Sequence, residues 1–378
     1  MLKISIITVV LNGIETIEKT IMSIAMQDYQ NVEYIVIDGC SIDGTIEKIQ
    51  TYCDAGVIDY FISEPDAGIY DAMNKGIKNA TGDLIGFLNA GDWYESGVLG
   101  KIADRYDGSS DVIYGKTFHH MPHGEKKLVE FSPIEDIIND MVFGHPSSFV
   151  SKEAFLKFGL FDAKYKIVGD YEWFLRCYMH SGRFQYVDII VSNFQWGGVS
   201  SLFTCRTLAE KIKVKLKYIN HASISKSIKN DLDIIPTELF SEKIATEPTE
   251  AVNMVISMMR GRNEIAIYGY GLIGHMIEEV CYDNGIKIAF ISDASVNSNE
   301  NKKSEKGYPL KGWKEAEKYS GTVIIAIKKV ENAKDAGLNE NEGTKYITIR
   351  ELGLFMLKTD EKYSEFIKNV SNLINNFN

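Results

Sequence analysis

The fold of this chain is decided by residues 66–92, which read DAGIYDAMNKGIKNATGDLIGFLNAGD. Apolar residues recur at helical spacing over residues 71–80, and Thr81-Gly82 marks the end of that predicted helix. Residues 84–89 form a short apolar run that predicts a buried strand, and a polar segment ending at Asp92 follows it. A helix, a turn and a buried strand in this order predict an α/β fold whose sheet is mostly parallel.

The same alternation extends in both directions from this stretch. Short runs rich in β-branched residues predict strands at 4–10, 32–38 and 59–63, and helices are predicted between them at 15–26 and 44–52. Downstream we predict a hairpin over 112–131 with Pro122 and Gly124 near its tip, helices at 151–158 and 170–180, and a strand at 184–191. Residues 1–205 are therefore predicted to form one α/β domain covered on both faces of its sheet.

The C-terminal part of the chain follows a different pattern. Residues 206–262 are rich in lysine and helical in pattern, with Pro236 and Pro248 as breakers, and predict a helical linker. Strands predicted at 264–268, 287–292 and 322–327, with a helix at 272–284, indicate a small second α/β domain over 263–357. Residues 358–378 are expected to form a tail with a short helix.

Composition narrows the function classes. The chain has 378 residues, which suits two domains, and a net charge of −11, which disfavours a general nucleic-acid binder. Its five cysteines show no C-x-x-C spacing, so neither a disulfide framework nor a zinc site is indicated. We find no signal-peptide pattern and no transmembrane run, and we expect a cytoplasmic protein, with the inner face of the membrane as an alternative.

Polar side chains follow four predicted strands at the points where the strands end. In open α/β sheets, ligands bind beyond the carboxyl ends of the strands. Each residue alone is typical of a turn or a helix cap, but their coincidence at four strand ends predicts a binding site. The residues at these ends are Thr8 and Asn12, Asp38, Asp66, and Asn89 with Asp92.

These motifs resemble the inverting family-2 glycosyltransferases with the GT-A fold, especially the branch that serves surface-polysaccharide assembly. The resemblance covers roughly residues 3–205, and its most specific piece is residues 66–92. It implies a GT-A nucleotide-diphospho-sugar transferase fold. It also implies inverting transfer of a sugar from a nucleoside diphosphate sugar, with UDP favoured, to a hydroxyl of a glycan or lipid-linked acceptor.

The resemblance also implies roles for individual residues. The donor-binding set is Thr8, Asn12, Glu15, Asp38, Asp66, Asn74, Lys75, Asn89 and Ala90. Residues 89–92 occupy the family's metal motif, in which Mn²⁺ or Mg²⁺ neutralises the charge of the diphosphate. Asn89 and Gly91 stand where acids are usual, so Asp92 is the main predicted metal ligand. His145 is predicted either to be a second ligand or to hydrogen-bond a phosphate.

The resemblance implies that Asp170 is the general base, because the family places an acid before a helix near the acceptor pocket and residues 159–176 match that stretch. An inverting transferase needs such a carboxylate to take the proton of the acceptor. The competing interpretation of Asp170 is an N-cap of the following helix, and Glu172 is the second candidate for the base. We expect Arg176 to orient a carboxylate or to pack on the sheet, rather than to contact the substrate. Trp196 with the two glycines after it predicts either a lid or a bend with a packed tryptophan, and the histidines at 119, 120 and 123 predict a solvated hairpin rather than a metal site.

A glycine-rich loop opens the predicted second domain. Gly269, Gly271 and Gly274 follow a strand and begin a helix, and Asp293 ends the next strand, which matches the dinucleotide-binding fingerprint. The loop predicts a Rossmann-like domain that binds NAD(P) or another nucleotide, or serves in structure or assembly. The alternatives to a transferase are thus an NAD-dependent oxidoreductase or a non-catalytic nucleotide-sugar-binding scaffold, and a homo-oligomer stays open.

Overall fold

The computed structural model describes residues 1–121, 124–129, 131–196, 205–218, 264–283, 285–293, 302–312, 314–326, 344–348 and 350–354, with isolated positions between 236 and 251 and at 338. The chain divides into two compact units. The first comprises Met1–Leu202 with Glu210–Ser227, and the second comprises Phe203–Ala209 with Ile228–Asn378. No helix among the described residues is both long and apolar enough to cross a membrane.

The first unit is an α/β layer structure. Its strands are β1 (Ile4–Val10), β2 (Val32–Asp38), β3 (Tyr60–Ser63), β4 (Leu84–Phe87), β5 (Trp93–Tyr94), β6 (Val112–His120), β7 (Lys126–Val129), β8 (Ser148–Ser151) and β9 (Phe184–Gln195). Its helices are α1 (Ile17–Ala25), α2 (Thr45–Asp54), α3 (Ile69–Asn79), α4 (Val98–Arg105), α5 (Lys152–Phe158), α6 (Gly169–Met179) and the end of α7 (Cys205–Tyr218).

The strand order of the first sheet is β3-β2-β1-β4-β8-β6-β9-β5, with β7 paired to β6. The first four strands are mutually parallel, whereas β8 is antiparallel to both of its neighbours. All seven residues of β1 are buried because helices cover both faces of the sheet. The register sets Val10 of β1 beside Asp38 of β2, which brings the predicted strand ends to one edge.

Helix α3 packs directly on β1 because of one glycine. A Cβ atom at Gly76 would lie 2.5 Å from a methyl group of Ile7, so a larger residue would push the helix away from the sheet. On the same face, aromatic rings of Phe87, Phe155, Phe161 and Trp173 pack against one another and hold α5 and α6 to the sheet. Helix α3 and helix α6 are thereby brought to the same end of β4.

Most predicted elements of the first unit are confirmed, with shifted ends. Helix α1 begins two residues later than predicted. The N–H groups of Thr16 and Ile17 both donate to the carbonyl of Gly13, and this turn precedes the helix. Strand β9 runs four residues beyond the predicted end. The hairpin of β6 and β7 is antiparallel as predicted, and Pro122 lies outside the described residues. The sequence did not predict β5, β8 or α4.

The second unit contains a smaller sheet of parallel strands. Its described elements are β10 (Glu264–Tyr268), α8 (Leu272–Asp283), β11 (Lys287–Asp293), β12 (Leu310–Gly312), α9 (Glu315–Lys318), β13 (Thr322–Ile325) and β14 (Lys345–Thr348). The strand order is β12-β11-β10-β13-β14, with every pairing parallel. Read from its first strand, this is the order 3-2-1-4-5 of a doubly wound fold. The predicted tail helix and most of the predicted linker lie outside the described residues.

Candidate active site

Asp38 and Asp66 lie together at the ends of β2 and β3. The buried Asp38 carboxylate accepts hydrogen bonds from the N–H and hydroxyl of Ser41, at 2.9 and 2.5 Å, and from the hydroxyl of Ser63 at 2.6 Å. Gly39 leaves room for its neighbour, since a Cβ atom there would lie 2.7 Å from Oδ2 of Asp66. The structure thus brings these two predicted acids together, with Asp38 fixing the loop that follows β2.

The residues at the end of β1 shape the same edge. The hydroxyl of Thr8 is buried and donates to the carbonyl of Leu88 at 2.7 Å, so this side chain lies within the sheet. Asn12 has a φ of 52°, and its Oδ1 accepts from the N–H of Ile42 at 2.9 Å. Glu15 is exposed. Thr8 and Asn12 therefore make bonds within the protein that hold the strand-end loops, and Glu15 is open to solvent.

Asn74 and Lys75 face different partners on α3. The amide of Asn74 is buried and bonds the main chain of Phe161 in both directions, at 2.9 and 3.0 Å. The ammonium of Lys75 pairs with Glu64 at 2.9 Å and donates to the carbonyl of Pro65 at 2.7 Å. Lys75 thus binds the segment immediately before Asp66, whereas Asn74 ties α3 to the chain that leads to α6.

The predicted metal motif forms the loop after β4. Gly91 has a φ of 102°, a conformation that glycine adopts without strain and other residues rarely adopt. The hydroxyl of Thr20 on α1 accepts from the N–H of Gly91 at 3.0 Å and donates to the carbonyl of Asp92 at 2.7 Å. The N–H of Ala90 points to the carbonyl of Val9 at 3.4 Å. The loop is therefore bound to both β1 and α1.

Two oxygen atoms of this loop are suited to a cation. Oδ1 of Asn89 is buried and has no hydrogen-bond partner among the described residues. Burial raises the pKa of Asp92 to about 7, although the N–H of Gln195, at 2.9 Å, and the charge of Lys19 lower it in part. A divalent cation stabilises a buried carboxylate and takes amide oxygen as a ligand, so these residues fit one.

The protein supplies few ligands for such a cation. The described part of the chain contains no group of three or more His, Cys, Asp or Glu residues placed to hold a metal ion. Magnesium commonly binds through one or two carboxylates and takes its other ligands from phosphate and water. Asn89 and Asp92 therefore fit a metal that arrives with a diphosphate, rather than a site made only of protein ligands.

Asp170 lies in the first turn of α6 and is partly open to solvent. Its Oδ1 accepts from the hydroxyl of Tyr70 at 2.9 Å and from the N–H of Tyr171 at 2.9 Å. Its Oδ2 lies 3.7 Å from Nδ1 of His145, and 23% of the side chain is exposed. The N-cap position of α6 is Val168, and no side chain caps it, so the N-cap interpretation of Asp170 is wrong.

His145 lies beside this carboxylate in a short 3₁₀ helix, His145–Ser147. Its ring packs among Phe87, Phe161 and Phe174, with centroid distances of 5.1 to 5.9 Å. Burial lowers the pKa of His145, and the charge of Asp170 offsets part of that decrease. Nε2 is buried with no hydrogen-bond partner among the described residues. The structure therefore places His145 next to Asp170, whereas the sequence analysis predicted it as a metal ligand.

Glu172 is fully buried in an ion-pair network. Its carboxylate binds Arg176 at 3.0 Å and Lys217 at 3.0 Å, and Tyr218 donates to it. Burial alone would raise the pKa of Glu172, but the hydrogen bonds and charges of these partners lower it. Glu172 is thus a structural anion, and Arg176 orients a carboxylate as predicted.

The sequence did not reveal the role of Glu210, which lies on α7 within the predicted linker. Its carboxylate accepts from three consecutive backbone N–H groups, those of Lys166, Ile167 and Val168, at 2.9 to 3.3 Å. Three such donors form a concave anion site, and here the protein's own carboxylate fills it. The segment before Asp170 is therefore held from one side by α3 and from the other by α7. A lone glutamate in a lysine-rich helix carries no sequence signal for this role.

The hairpin histidines are packed, which corrects the solvated hairpin that we predicted. Nε2 of His120 lies 2.8 Å from Oδ1 of Asn193, and the indole N–H of Trp196 points to Nδ1 of His119 at 3.3 Å. Both histidines are half-buried. His123 and the glycines after Trp196 lie outside the described residues.

The glycine loop of the second unit has the geometry of a tight strand-to-helix turn. Gly269 has a φ of 96°, and a Cβ atom at Gly274 would overlap the carbonyl oxygen of Gly269, whereas Gly271 is open. Oδ2 of Asp293 accepts from the N–H of Tyr270 at 2.8 Å. Asp293 thus holds the loop to the end of β11. A role for these residues in binding a nucleotide stays a prediction.

The first unit matches known proteins. The family model for glycosyl transferase family 2 matches residues 5–162. An uncharacterized glycosyltransferase of Mycobacterium tuberculosis is 31% identical over 179 residues, which cover 46% of this chain and 68% of the relative. The chain belongs to glycosyl transferase family 2. The predicted family is therefore confirmed, and the protein is a glycosyltransferase.

This glycosyltransferase is also similar to a second relative and to a solved structure. A PGL/p-HBAD biosynthesis glycosyltransferase of Mycobacterium bovis is 24% identical over 220 residues, which cover 56% of this chain and 85% of the relative. The crystal structure of S. aureus TarS 1-349 in complex with UDP-GlcNAc covers 68% of this chain and 79% of that chain, with a TM-score of 0.51 and 17% identity. At this identity the likeness concerns the fold, and it confirms the predicted GT-A fold.

Proposed function

We propose that this glycosyltransferase moves a sugar, with inversion, from a nucleoside diphosphate sugar to a hydroxyl of a glycan or lipid-linked acceptor. The carboxylate of Asp170 is the observation that carries the proposal. One of its oxygens is held by two donors, and the other lies beside His145 with part of the side chain exposed. A fixed, partly open carboxylate is what a general base at an acceptor pocket requires.

The donor is proposed to lie along the strand ends, with the diphosphate toward the loop after β4. Asp38, Asp66 and Asn12 shape the edge where the nucleoside would bind, and Asn89 offers an unsatisfied oxygen. Asn89 and Asp92 would hold a divalent cation, Mn²⁺ or Mg²⁺, which supplies positive charge to the diphosphate leaving group. UDP is the first nucleotide to test, and glycan or polysaccharide biosynthesis is the proposed setting.

The transfer step follows from these positions. The acceptor oxygen attacks the anomeric carbon on the face opposite the diphosphate, and its proton moves to Asp170. The bond between the anomeric carbon and the diphosphate oxygen breaks, and its electron pair stays on the leaving group. The configuration at the anomeric carbon inverts because a single displacement attacks the face opposite the leaving group.

Release of nucleoside diphosphate from UDP-, GDP- and dTDP-sugars tests the proposal, with glycan and lipid-linked acceptor extracts and with or without Mn²⁺. We expect transfer with one donor class, and a decrease of about 10²- to 10⁴-fold in Asp170→Asn at unchanged donor affinity. NMR of the product's anomeric configuration reports inversion or retention. Full activity of Asp170→Asn would contradict the proposal. Failure of all the tested donors to release a nucleoside diphosphate would also contradict it. Calorimetry of Mn²⁺ binding in the presence of UDP, compared between the wild type and Asp92→Asn, tests the metal site separately from activity.

For the C-terminal part, we propose the predicted division into a linker over 206–262, a Rossmann-like domain over 263–357 and a tail. The parallel order of its strands and the tight turn at Gly269 support this proposal. Fluorescence of NADH and calorimetry with UDP-sugars, using the full chain and Gly271→Asp, test whether the loop binds a nucleotide. Binding that is equal in both chains would contradict a role for the loop.

A further inference from the structure

Tyr70 on α3 reaches the first turn of α6 through its hydroxyl group. This hydroxyl lies 2.6 Å from the carbonyl oxygen of Ile167 and 2.9 Å from Oδ1 of Asp170. A hydroxyl has one hydrogen, so Tyr70 donates to one of these two acceptors at a time. The side chain is buried, with 4% exposed, and burial raises the pKa of Tyr70 well above its ordinary value. The phenol is therefore a neutral donor beside Asp170.

The two oxygens of Asp170 differ in their surroundings. Oδ1 faces the hydroxyl of Tyr70 at 2.9 Å on one side and accepts from the N–H of Tyr171 on the other. Oδ2 lies near the ring of His145 at 3.7 Å, too long for a hydrogen bond. Because Oδ1 already accepts from the N–H of Tyr171 and faces the hydroxyl of Tyr70, Oδ2 is the oxygen left to take the proton of an acceptor hydroxyl.

The main chain of α6 is adapted to the tyrosine ring. A Cβ atom at Gly169 would lie 2.7 Å from Cδ2 of Tyr70, so any side chain at position 169 would displace this ring. The ring of Tyr70 also packs on Phe161 at 5.6 Å between centroids. The absence of a side chain at Gly169 thus creates the space through which Tyr70 reaches Asp170.

We propose that Tyr70 is a positioning residue for the base of this glycosyltransferase. It fixes Oδ1 of Asp170 and so presents Oδ2 to the acceptor, and Gly169 is required for this contact. The inference rests on the proposed role of Asp170 as the base. It goes beyond that role because it assigns the reacting oxygen and names two residues on different helices that determine its direction.

Tyr70→Phe and Gly169→Ala test the contact in two independent ways. Phenylalanine keeps the ring and removes the hydroxyl, and alanine keeps the hydroxyl and displaces the ring. Each is expected to lower kcat about 10- to 100-fold, while KM for the donor and the affinity for nucleoside diphosphate change less than twofold. Tyr106→Phe is the matched control, since the hydroxyl of Tyr106 donates to the carbonyl of Ser110, four positions along the chain, at 2.8 Å. We expect this control to keep the wild-type kcat.

A double variant separates positioning from a purely structural role. In an Asp170→Asn background, adding Tyr70→Phe is expected to change the residual single-turnover rate less than twofold, because the carboxylate it orients is gone. A further tenfold loss in that background would show that Tyr70 acts independently of Asp170 and would overturn the inference. Wild-type kcat in Tyr70→Phe would do the same.

The two proposals fail in different ways. If Asp170→Asn keeps full activity, the proposed base is wrong and the inference about Tyr70 falls with it. If Asp170→Asn loses activity while Tyr70→Phe and Gly169→Ala match the control, the base stands and only the positioning role is wrong. Thermal melting of each variant identifies any that is unfolded, and for such a variant the other one of the pair decides.

Discussion

Asn74 and Phe161 are joined by a pair of reciprocal hydrogen bonds. The N–H of Phe161 donates to Oδ1 of Asn74 at 3.0 Å, and Nδ2 of Asn74 donates to the carbonyl of Phe161 at 2.9 Å. The sequence resemblance had assigned Asn74 to the donor. The two bonds show that the Asn74 amide fixes the main chain between α5 and α6, in the segment that leads to Asp170.

We therefore expect Asn74→Ala to destabilise the protein by roughly 2–4 kcal/mol, because two buried backbone groups lose their partners. Urea denaturation of the full chain measures this change. Asn79→Ala is the control, since Nδ2 of Asn79 bonds the carbonyl of Lys75 at an exposed position at the end of the same helix. Equal midpoints for the two variants would contradict the role of Asn74 as a clamp.

Removing the carboxylate of Glu210 is expected to loosen the segment before α6. Its bonds to three backbone N–H groups are charge-assisted, so Glu210→Ala should cost roughly 2–3 kcal/mol and also lower kcat. Hydrogen exchange of the amides at 166–168 measures the loosening directly. Glu47→Gln, at an exposed position on α2, is the control and should stay within about 0.5 kcal/mol of wild type. Unchanged protection at 166–168 would count against the role of Glu210.

Glu33 is expected to make part of the stability dependent on pH. Burial alone would raise its pKa, but hydrogen bonds from Ser5, Thr81 and Lys3 lower it to about 2. Because the native pKa is lowered, the charged Glu33 stabilises the folded protein above about pH 4.5, and this stabilisation is lost as the pH falls toward 2. Glu33→Gln should therefore be less stable than wild type by about 1–2 kcal/mol at pH 7 and equal to it near pH 2. A difference that is constant over this range, measured by urea denaturation, would show that the charge is irrelevant.

The glycine loop of the second unit provides a test of packing alone. A Cβ atom at Gly274 would overlap the carbonyl oxygen of Gly269, whereas a Cβ atom at Gly271 meets nothing within 4 Å. Gly274→Ala should destabilise the second unit by about 1–3 kcal/mol, and Gly271→Ala should have little effect. Differential scanning calorimetry of the full chain compares the two. If both alanines are tolerated equally, the described approach of helix α8 to the loop is wrong.

The sequence alone determined the parallel part of the first unit, strands β1 to β4 with the helices between them, and most of its strand ends. Short β-branched runs followed by polar residues are local signals, and the parallel register then carries Asp38, Asn89 and Asp92 to one edge without further information. The family followed from residues 66–92 for the same reason, since a motif is a local pattern. Strands β5 and β8 escaped prediction because their pairing depends on distant partners.

Only the tertiary structure decided which polar groups meet. Tyr70 and Asp170 are 100 positions apart, and Glu210 lies 42 to 44 positions beyond the amides it binds, so no local pattern relates them. The structure likewise associated His145 with Asp170 and showed Glu172 to be a buried ion pair. A sequence shows which side chains are able to accept or donate protons and hydrogen bonds. Their actual partners depend on burial and on the crossing of helices, which only the packed chain defines.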